Sequence, residues 1–354
     1  MSSSFVYTQR ERKLVFGVGT RHDLVQYLNE LESQKVFVIS DPNGASVVTD
    51  IVAPCAARIV HIWTDVRQHV PEDLAVSARE EVTRVGADTL LTFGGGSSTG
   101  LAKAIALSHE LPIIAIPTTY AGSEQTTIYG VTGNRHKQTG SSPKVLPRVS
   151  IYDAELTLEL PKNVTGASAF NALAHCVNGL SAKGANPVTS AIALEGVRAI
   201  VESLPSVMAH PRDVSARERL QYGAALAGIT LGDTSTGLHH KICHVLGGAF
   251  NLTHADTHSV ILPHSTAFNA DALPREMAQL SEALGCSRGD EAGALWDLAK
   301  RSGVPTSLKQ LGLESSNLKE AAERAVNEIS SNPRSVTAEL LEALLQSAFA
   351  GGRP

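Results

Sequence analysis

The alternation of short apolar runs with helical segments over residues 1–160 is the feature that most constrains how this chain can fold. Four runs predict strands, because they are short, rich in β-branched residues and bounded by Gly, Pro or Asp. They are "KVFVIS" (35–40), "ARIVHIW" (57–63), "DTLLTFGGG" (88–96) and "LPIIAIPTT" (111–119), with helix-like segments near 22–33, 72–86 and 99–109. Unbroken apolar strands that alternate with helices indicate a parallel sheet covered by helices on both faces.

The pattern changes after Pro161. Segments such as "ASAFNALAHCVNGLSA" and "SARERLQYGAALAGITLG" have helical periodicity, and further helices are expected at 289–302 and 337–349. We therefore predict an α/β domain over residues 1–160 and an all-helical domain over residues 161–354. A cleft between two such domains is a common place for a small-molecule site.

Composition argues against several classes of partner. The 354 residues are 43% hydrophobic and carry a formal net charge of −5, which gives no electrostatic reason to expect nucleic acid or an anionic membrane. The N-terminal segment "MSSSFVYTQRERKLVFG" has no apolar core of signal-peptide length, and no run of about 18 uncharged apolar residues that would indicate a transmembrane helix occurs. The four cysteines are scattered without a CxxC pair, so we expect reduced thiols and a cytoplasmic location.

The segment "TFGGGSSTGLAKAIA" (92–106) predicts a ligand-binding turn. Gly94, Gly95 and Gly96 directly follow a predicted strand, and a helix begins near Thr99. Glycines let the backbone approach a ligand closely, and a helix N-terminus offers unpaired N–H groups and the positive end of the helix dipole. Phosphate suits this arrangement, although the segment is neither the GxGxxG fingerprint nor a Walker motif, and a plain tight turn is the alternative.

Polar residues at two other strand ends extend this predicted nucleotide site. Asp41 follows "KVFVIS", and a carboxylate at such a strand tip can bond a ribose 2′-hydroxyl and repel a 2′-phosphate, which favours NADH over NADPH. A turn aspartate is the alternative, with equal weight. Thr118 and Thr119 end another strand at the same sheet edge, where they would bond a nucleotide or cap the next segment.

Histidines are concentrated in "GLHHKICHVLGGAFNLTHADTH" (237–258), which holds five of the chain's 13. The four-residue spacing places His240 and His244 on one face of a helix, and Asn171 and His175 on one face of another. His254 is expected to return to the same cleft from a following segment. Imidazoles that converge from separate helices make a metal site or an acid/base cluster.

Several segments together resemble the iron-containing alcohol dehydrogenase superfamily, and within it the maleylacetate reductases. They run in order along nearly the whole chain: "GGGSSTGLAKA", "AIPTTYAGSE", "VLPRVSIYDAELTLELP", "FNALAH", "NPVTSAIALEGVRAI", "GLHHKICHVLGGAFNLTHADTHSVILPH" and "NPR" (332–334). The resemblance implies an N-terminal dinucleotide-binding domain, a helical C-terminal domain, a homodimer, and NADH or NADPH as cofactor. It places the nucleotide phosphates against Gly94–Ser97 and puts Thr118, Thr119 and Lys137 beside the ribose and nicotinamide.

The resemblance also raises the question of a metal. Superfamily members that use metal hold one divalent ion with an aspartate and three histidines, and these positions correspond here to Asn171, His175, His240 and His254. A neutral amide offers a hard divalent ion only a carbonyl dipole in place of a negative charge. Because maleylacetate reductases are similar at this position and are taken to work without metal, we expect no metal; if one binds, His175, His240 and His254 would hold it.

The implied reaction gives the histidines a role without metal. Reduction of maleylacetate to 3-oxoadipate delivers hydride to a carbon–carbon double bond conjugated with a ketone, so an enolate must be stabilised and a carbon protonated. We expect His244 and His254 to carry these tasks first, with His175 or His240 assisting. His239 and His258 are expected to be structural.

The match to maleylacetate reductases is weaker at four serines. Ser141 and Ser142 stand where these reductases carry an Arg–Asp pair, and Ser330 and Ser331 stand where aromatic residues are common. These changes motivate one alternative, a non-redox isomerase or cyclase of a biosynthetic pathway on the same scaffold. A metal-dependent alcohol dehydrogenase is the other alternative.

Overall fold

The chain divides into two compact units. The computed structural model describes residues 4–133 and 136–354, with the backbone alone described at residues 136, 137 and 254. One unit is Thr8–Glu159, and the other is Leu160–Pro354 together with the residues up to Tyr7. The hydroxyl of Tyr7 donates a 2.8 Å hydrogen bond to Oδ2 of Asp233, so this N-terminal residue contacts the helical unit.

The Thr8–Glu159 unit is built on a parallel sheet. Its strands are β1 Lys13–Phe16, β2 Val36–Ser40, β3 Ile59–Trp63, β4 Thr89–Gly94, β5 Ile113–Pro117, β6 Ile128–Gly133, β7 His136–Ser141 and β8 Val149–Tyr152. Six of them form one sheet in the order β1-β8-β5-β4-β2-β3, all parallel, while β6 and β7 form a separate antiparallel hairpin.

Helices cover both faces of this sheet. They are α1 Leu24–Glu30, α2 Ala45–Val52, α3 Glu72–Val85 and α4 Gly96–His109. Alternate residues of β2 join different cores: Val36 and Val38 pack with residues of α1 and α2, whereas Phe37 and Ile39 pack with residues of α3 and α4. Burial on both faces is the reason the strand reads as a continuous apolar run.

The second unit is helical throughout its described residues. Its helices are α5 Lys162–Gly179, α6 Pro187–Ala209, α7 Val214–Asp233, α8 Leu238–Phe250, α9 His254–Asn269, α10 Pro274–Leu284, α11 Glu291–Arg301, α12 Leu318–Glu328 and α13 Ala338–Ala350. One core joins α8, α9, α12 and α13 through buried leucines such as Leu246, Leu341 and Leu345. This packing fixes α8, which carries His239, His240 and His244.

The predicted fold class is confirmed: a parallel α/β domain is followed by an all-helical one. All four predicted strands are present, within two residues of their predicted starts. The sequence did not predict β1, β8, the β6–β7 hairpin or α2. Among the described residues, no helix combines the length and apolar composition that crossing a membrane requires.

Candidate active site

The predicted glycine turn joins the end of β4 to the start of α4. Gly94 has a φ of +141°, and a Cβ there would lie 2.6 Å from Oγ of Ser98, so only glycine fits. A Cβ on Gly95 would meet the Thr119 side chain at 3.1 Å. Gly96 begins α4, and no side chain caps this helix. Its first N–H groups are therefore available to an anion, with Ser97 in the same turn.

Asp41 lies beside the glycine turn. Its Oδ1 accepts hydrogen bonds from the backbone N–H groups of Asn43 at 2.9 Å and Gly44 at 3.0 Å, so the expected turn role is present. Its Oδ2 faces the turn, because a Cβ on Gly94 would lie 3.4 Å from it. One carboxylate oxygen thus shapes the loop while the other borders the place where the glycines would hold a ligand.

Sheet topology explains why these residues meet. Ser40 of β2 pairs with Phe93 of β4, and Gly94 pairs with Pro117 of β5, so the carboxyl ends of the three strands are level. The chain leaves β2 toward β3 on one side and β4 toward β5 on the other. Ligands of open α/β sheets bind at such a reversal of strand order.

Thr118 and Thr119 complete this sheet edge. The N–H of Thr118 donates a hydrogen bond to the carbonyl of Gly94 at 3.0 Å. The side chain of Thr119 borders the place where a Cβ on Gly95 would lie. The predicted cofactor residues of the strand ends are therefore brought together. The side chain of Lys137 lies outside the described residues; its backbone belongs to β7.

The helical unit brings two predicted histidines into direct contact. His175 lies on α5 and His240 on α8, and Nε2 of His240 is 2.9 Å from Nδ1 of His175. Their rings are stacked, with centroids 4.7 Å apart and planes 13° apart. Both side chains are buried. Burial, and then repulsion from His244, lower the pKa of His175 to about 4, so this ring is neutral near pH 7.

The other predicted residues of the cluster differ in exposure. His244 is exposed, and its ring centroid lies 6.5 Å from that of His240 in an edge-on arrangement. Asn171 lies one turn before His175 on α5, and its Oδ1 is buried without a hydrogen-bond partner among the described residues. His254 begins α9, but its side chain lies outside the described residues.

Sequence reasoning missed a hydrogen-bonded group behind this pair. His239 and His258 were expected to be structural; they are buried, and Nε2 of His239 lies 2.8 Å from Nδ1 of His258. Nδ1 of His239 lies 3.1 Å from Oγ of Ser265 on α9. No spacing rule points to Ser265, because its contact with His239 depends on how two helices pack.

A third donor adjoins this group. Sγ of Cys243 is 3.7 Å from Nε2 of His239, and the ligand atoms of His239, Cys243 and His258 lie within 4.8 Å of one another, close enough to share a metal ion. Burial raises the pKa of the Cys243 thiol well above its usual value, so the thiol keeps its proton. Protonated thiol and paired imidazoles make a hydrogen-bonded cluster.

A divalent ion at the predicted ligand positions would be bound by uncharged donor groups. Nε2 of His240 and Nδ1 of His175 share a hydrogen bond, which an ion bound by both rings would have to replace, and Oδ1 of Asn171, which has no hydrogen-bond partner among the described residues, could add a carbonyl oxygen. If one binds, His175 and His240 would hold it together with His254, whose side chain lies outside the described residues, and it would supply an electrophile. None of these groups brings negative charge, which a carboxylate would have supplied.

The four serines that depart from the resembled pattern lie on polar surfaces. Oγ of Ser141 lies 2.8 Å from Oγ1 of Thr127 at the base of the β6–β7 hairpin, and Ser142 accepts from the N–H of Lys144. Ser330 and Ser331 are exposed and follow the end of α12.

Comparison with known proteins agrees with this architecture. Residues 11–154 match the model of the iron-containing alcohol dehydrogenase family, and residues 165–349 match the model of its C-terminal domain. The chain is 45% identical over 352 residues to a maleylacetate reductase of Burkholderia cepacia, covering 99% of each. It superposes with a TM-score of 0.96 on maleylacetate reductases of Agrobacterium tumefaciens and Rhizobium sp. strain MTP-10005, at 40% and 41% identity and full coverage of each chain. The chain belongs to the iron-containing alcohol dehydrogenase family.

Proposed function

We propose that this protein reduces maleylacetate, or a closely related conjugated keto acid, with NADH or NADPH, and that it serves in the breakdown of aromatic compounds. The observation that carries the proposal is the full-length likeness to proteins named maleylacetate reductase. The sheet edge of the α/β unit and the imidazole cluster of the helical unit supply the two kinds of group that such a reduction requires.

The glycine turn supports binding of a dinucleotide. Backbone N–H groups at the start of α4, together with Ser97, would hold the pyrophosphate against Gly94 and Gly95. Oδ2 of Asp41 would accept a hydrogen bond from the ribose 2′-hydroxyl, and its negative charge would repel a 2′-phosphate. We therefore propose that NADH is preferred over NADPH.

The reduction needs one hydride and one proton. Hydride from the nicotinamide adds to the alkene carbon β to the ketone, and the electron pair of the double bond moves onto the ketone oxygen as an enolate. A proton then adds to the carbon α to the ketone, which gives 3-oxoadipate and the oxidised nucleotide. The protein must donate a hydrogen bond to the enolate oxygen and a proton to the carbon.

We assign these tasks to imidazoles. His244 is exposed and carries an ionisable ring within reach of the surface, so we assign it proton donation, with His254 as its partner. The buried His175–His240 pair shares one hydrogen bond, and the ring of His175 is neutral, so it adds no positive charge to the interior.

We further propose that no resident metal takes part. Asn171 supplies no negative charge, and the direct contact of His175 with His240 satisfies a nitrogen of each ring without an ion. Oδ1 of Asn171, buried without a hydrogen-bond partner in the part of the chain that the structure describes, favours the second candidate function, a metal-dependent alcohol dehydrogenase. These two functions differ in metal content and in sensitivity to chelators.

Two features of the chain bear on its assembly and location. Strand β1 is an edge strand of the sheet, and Leu14 on it is 39% exposed, which supports pairing with a second copy as a homodimer. The four cysteines are free thiols, which supports a cytoplasmic location.

The proposal is tested by an assay of the purified protein with maleylacetate and each nucleotide, before and after dialysis against a chelator, with elemental analysis of both samples. We expect nucleotide oxidation that chelation leaves unchanged and less than stoichiometric metal. Stoichiometric zinc or iron, with activity lost on chelation, would favour the alcohol dehydrogenase. Absence of turnover with maleylacetate in both samples would refute the proposed substrate.

A further inference from the structure

Three buried side chains form a hydrogen-bonded series next to the His175–His240 pair. Ser265, His239 and His258 are 5%, 1% and 0% exposed, so water does not compete for their hydrogen bonds. The series runs from Oγ of Ser265 to Nδ1 of His239 at 3.1 Å, and from Nε2 of His239 to Nδ1 of His258 at 2.8 Å. The proposed reaction assigns none of these groups a task.

The hydroxyl of Ser265 determines which ring nitrogen of His239 and of His258 carries the proton. Its Oγ lies 3.1 Å from the carbonyl of Leu262, so the hydroxyl can donate its one hydrogen there and accept from His239. In that arrangement a neutral His239, which carries one N–H, holds its proton on Nδ1 and presents a lone pair at Nε2. His258 must then donate from its own Nδ1, which leaves Nε2 of a neutral His258 without a proton.

Cys243 agrees with this arrangement. Its Sγ lies 3.7 Å from the same Nε2 of His239, and its thiol is protonated because burial raises its pKa. With the lone pair of His239 at Nε2, the thiol can donate weakly to it. In this arrangement Nε2 accepts from both Cys243 and His258.

The rings of His239 and His258 both pack edge-on against the ring of His240. The ring centroid of His258 lies 5.0 Å from that of His240 with planes at 66°, and that of His239 lies 5.1 Å away with planes at 78°. The centroid of His258 also lies 6.4 Å from that of His175. Rings packed edge to face resist rotation of the ring between them.

We propose that Ser265, His239 and His258 form a positioning relay, in which the serine fixes both histidine tautomers and the two rings fix the plane of His240, and thereby its hydrogen bond to His175. The relay rests on the proposed function only in that His240 and His175 assist the reduction. Its residues touch neither substrate nor cofactor in this account. The relay makes its own prediction, which is the position of the ring protons, and this can be measured in the protein without substrate.

The test reads the tautomers directly. Nitrogen-15 NMR of the full-length protein with labelled histidine distinguishes an imidazole protonated at Nδ1 from one protonated at Nε2, and His239→Gln and His258→Gln variants assign the signals. We expect the Nδ1–H form for both His239 and His258. An Nε2–H signal for His239, or a metal bound by Cys243 in place of the hydrogen bond, would overturn the relay.

Matched serine variants test the consequence for turnover. Ser265→Ala should let His239 populate both tautomers and lower kcat about tenfold with the nucleotide KM unchanged, and Ser265→Thr, which keeps a hydroxyl, should restore both signals and rate. Ser347→Ala is the control, because Ser347 bonds another buried histidine, His264, at 3.2 Å. Wild-type tautomers and rate in Ser265→Ala would refute the relay, whereas failure of the wild type to reduce maleylacetate would refute only the proposed substrate.

Discussion

Nε2 of His240 and Nδ1 of His175 lie 2.9 Å apart, so two imidazoles from α8 and α5 share one hydrogen bond in the interior of the helical unit. One ring must donate and the other accept, because two facing N–H groups or two facing lone pairs would repel. The family name mentions iron, yet the residue one turn before His175 is a neutral asparagine. On this ground we propose that the pair handles protons and does not bind a cation.

Replacement of the exposed histidine should affect chemistry more than binding. His244→Asn keeps a polar side chain but removes the ionisable ring, so we expect kcat to fall about 100-fold or more, the usual scale of general acid catalysis. Nucleotide affinity, measured by fluorescence titration, should stay unchanged. His210→Asn removes another exposed histidine of the same unit and should leave kcat at the wild-type value. A His244→Asn enzyme with full activity would remove this residue from the mechanism.

Asp41 should decide between the two nucleotides. Asp41→Asn keeps an oxygen that can accept from Asn43 and Gly44 but loses the negative charge. We expect kcat/KM to shift toward NADPH by about tenfold, since about 1.4 kcal/mol of repulsion corresponds to that factor. Asp50→Asn, which removes an exposed charge from α2, is the control. Equal preference in the Asp41 variant and the wild type would show that the carboxylate serves only the turn.

A methyl group at the phosphate turn should weaken the nucleotide site. Gly94→Ala forces an L residue into a φ of +141° and places its Cβ 2.6 Å from Ser98, so we expect a loss of about 1–3 kcal/mol in stability and weaker NADH binding. Gly352→Ala, where a Cβ meets no atom within 4 Å, should change neither quantity. Calorimetry gives the stability and fluorescence titration the affinity. Wild-type affinity in Gly94→Ala would place the phosphates elsewhere.

Acid should destabilise the helical unit through a second buried imidazole. Burial lowers the pKa of His264 from 6.5 to about 4, so the unfolded chain binds the proton first as pH falls. Above pH 6.5, neutral His264 makes its full contribution to the free energy of unfolding. As the pH falls to about 4, this contribution of roughly 3 kcal/mol is lost. His264→Asn should flatten the pH dependence of unfolding over this interval, measured by urea denaturation. A wild-type slope in the variant would contradict the assignment.

Sequence periodicity predicted those parts of the fold whose pattern is local. The strands buried on both faces appear as continuous apolar runs, and α3 and α13 match their predicted spans within a residue. Strands β1 and β8 have only four residues, and β7 is polar, so none gives a long apolar signal. Helix α2 is short and follows a turn, which hides its periodicity.

The candidate site also has a part that the sequence predicted and a part that it did not. Spacing of four residues placed Asn171 with His175 and His240 with His244, because helix geometry alone decides which residues share a face. The contact of His175 with His240, and that of His239 with Ser265, depend on how α5, α8 and α9 pack. Side-chain partners across helices carry no local pattern, so sequence reasoning assigned His239 and His258 to the scaffold.

Transfer of deuterium from nucleotide to product tests the central claim most directly. NADH that carries deuterium in its transferable position is mixed with maleylacetate and the purified protein, and the product is analysed by mass spectrometry and NMR. We predict 3-oxoadipate with one deuterium on the carbon β to the ketone and one equivalent of oxidised nucleotide. Product without deuterium, or turnover without nucleotide oxidation, would contradict a hydride reduction by this protein.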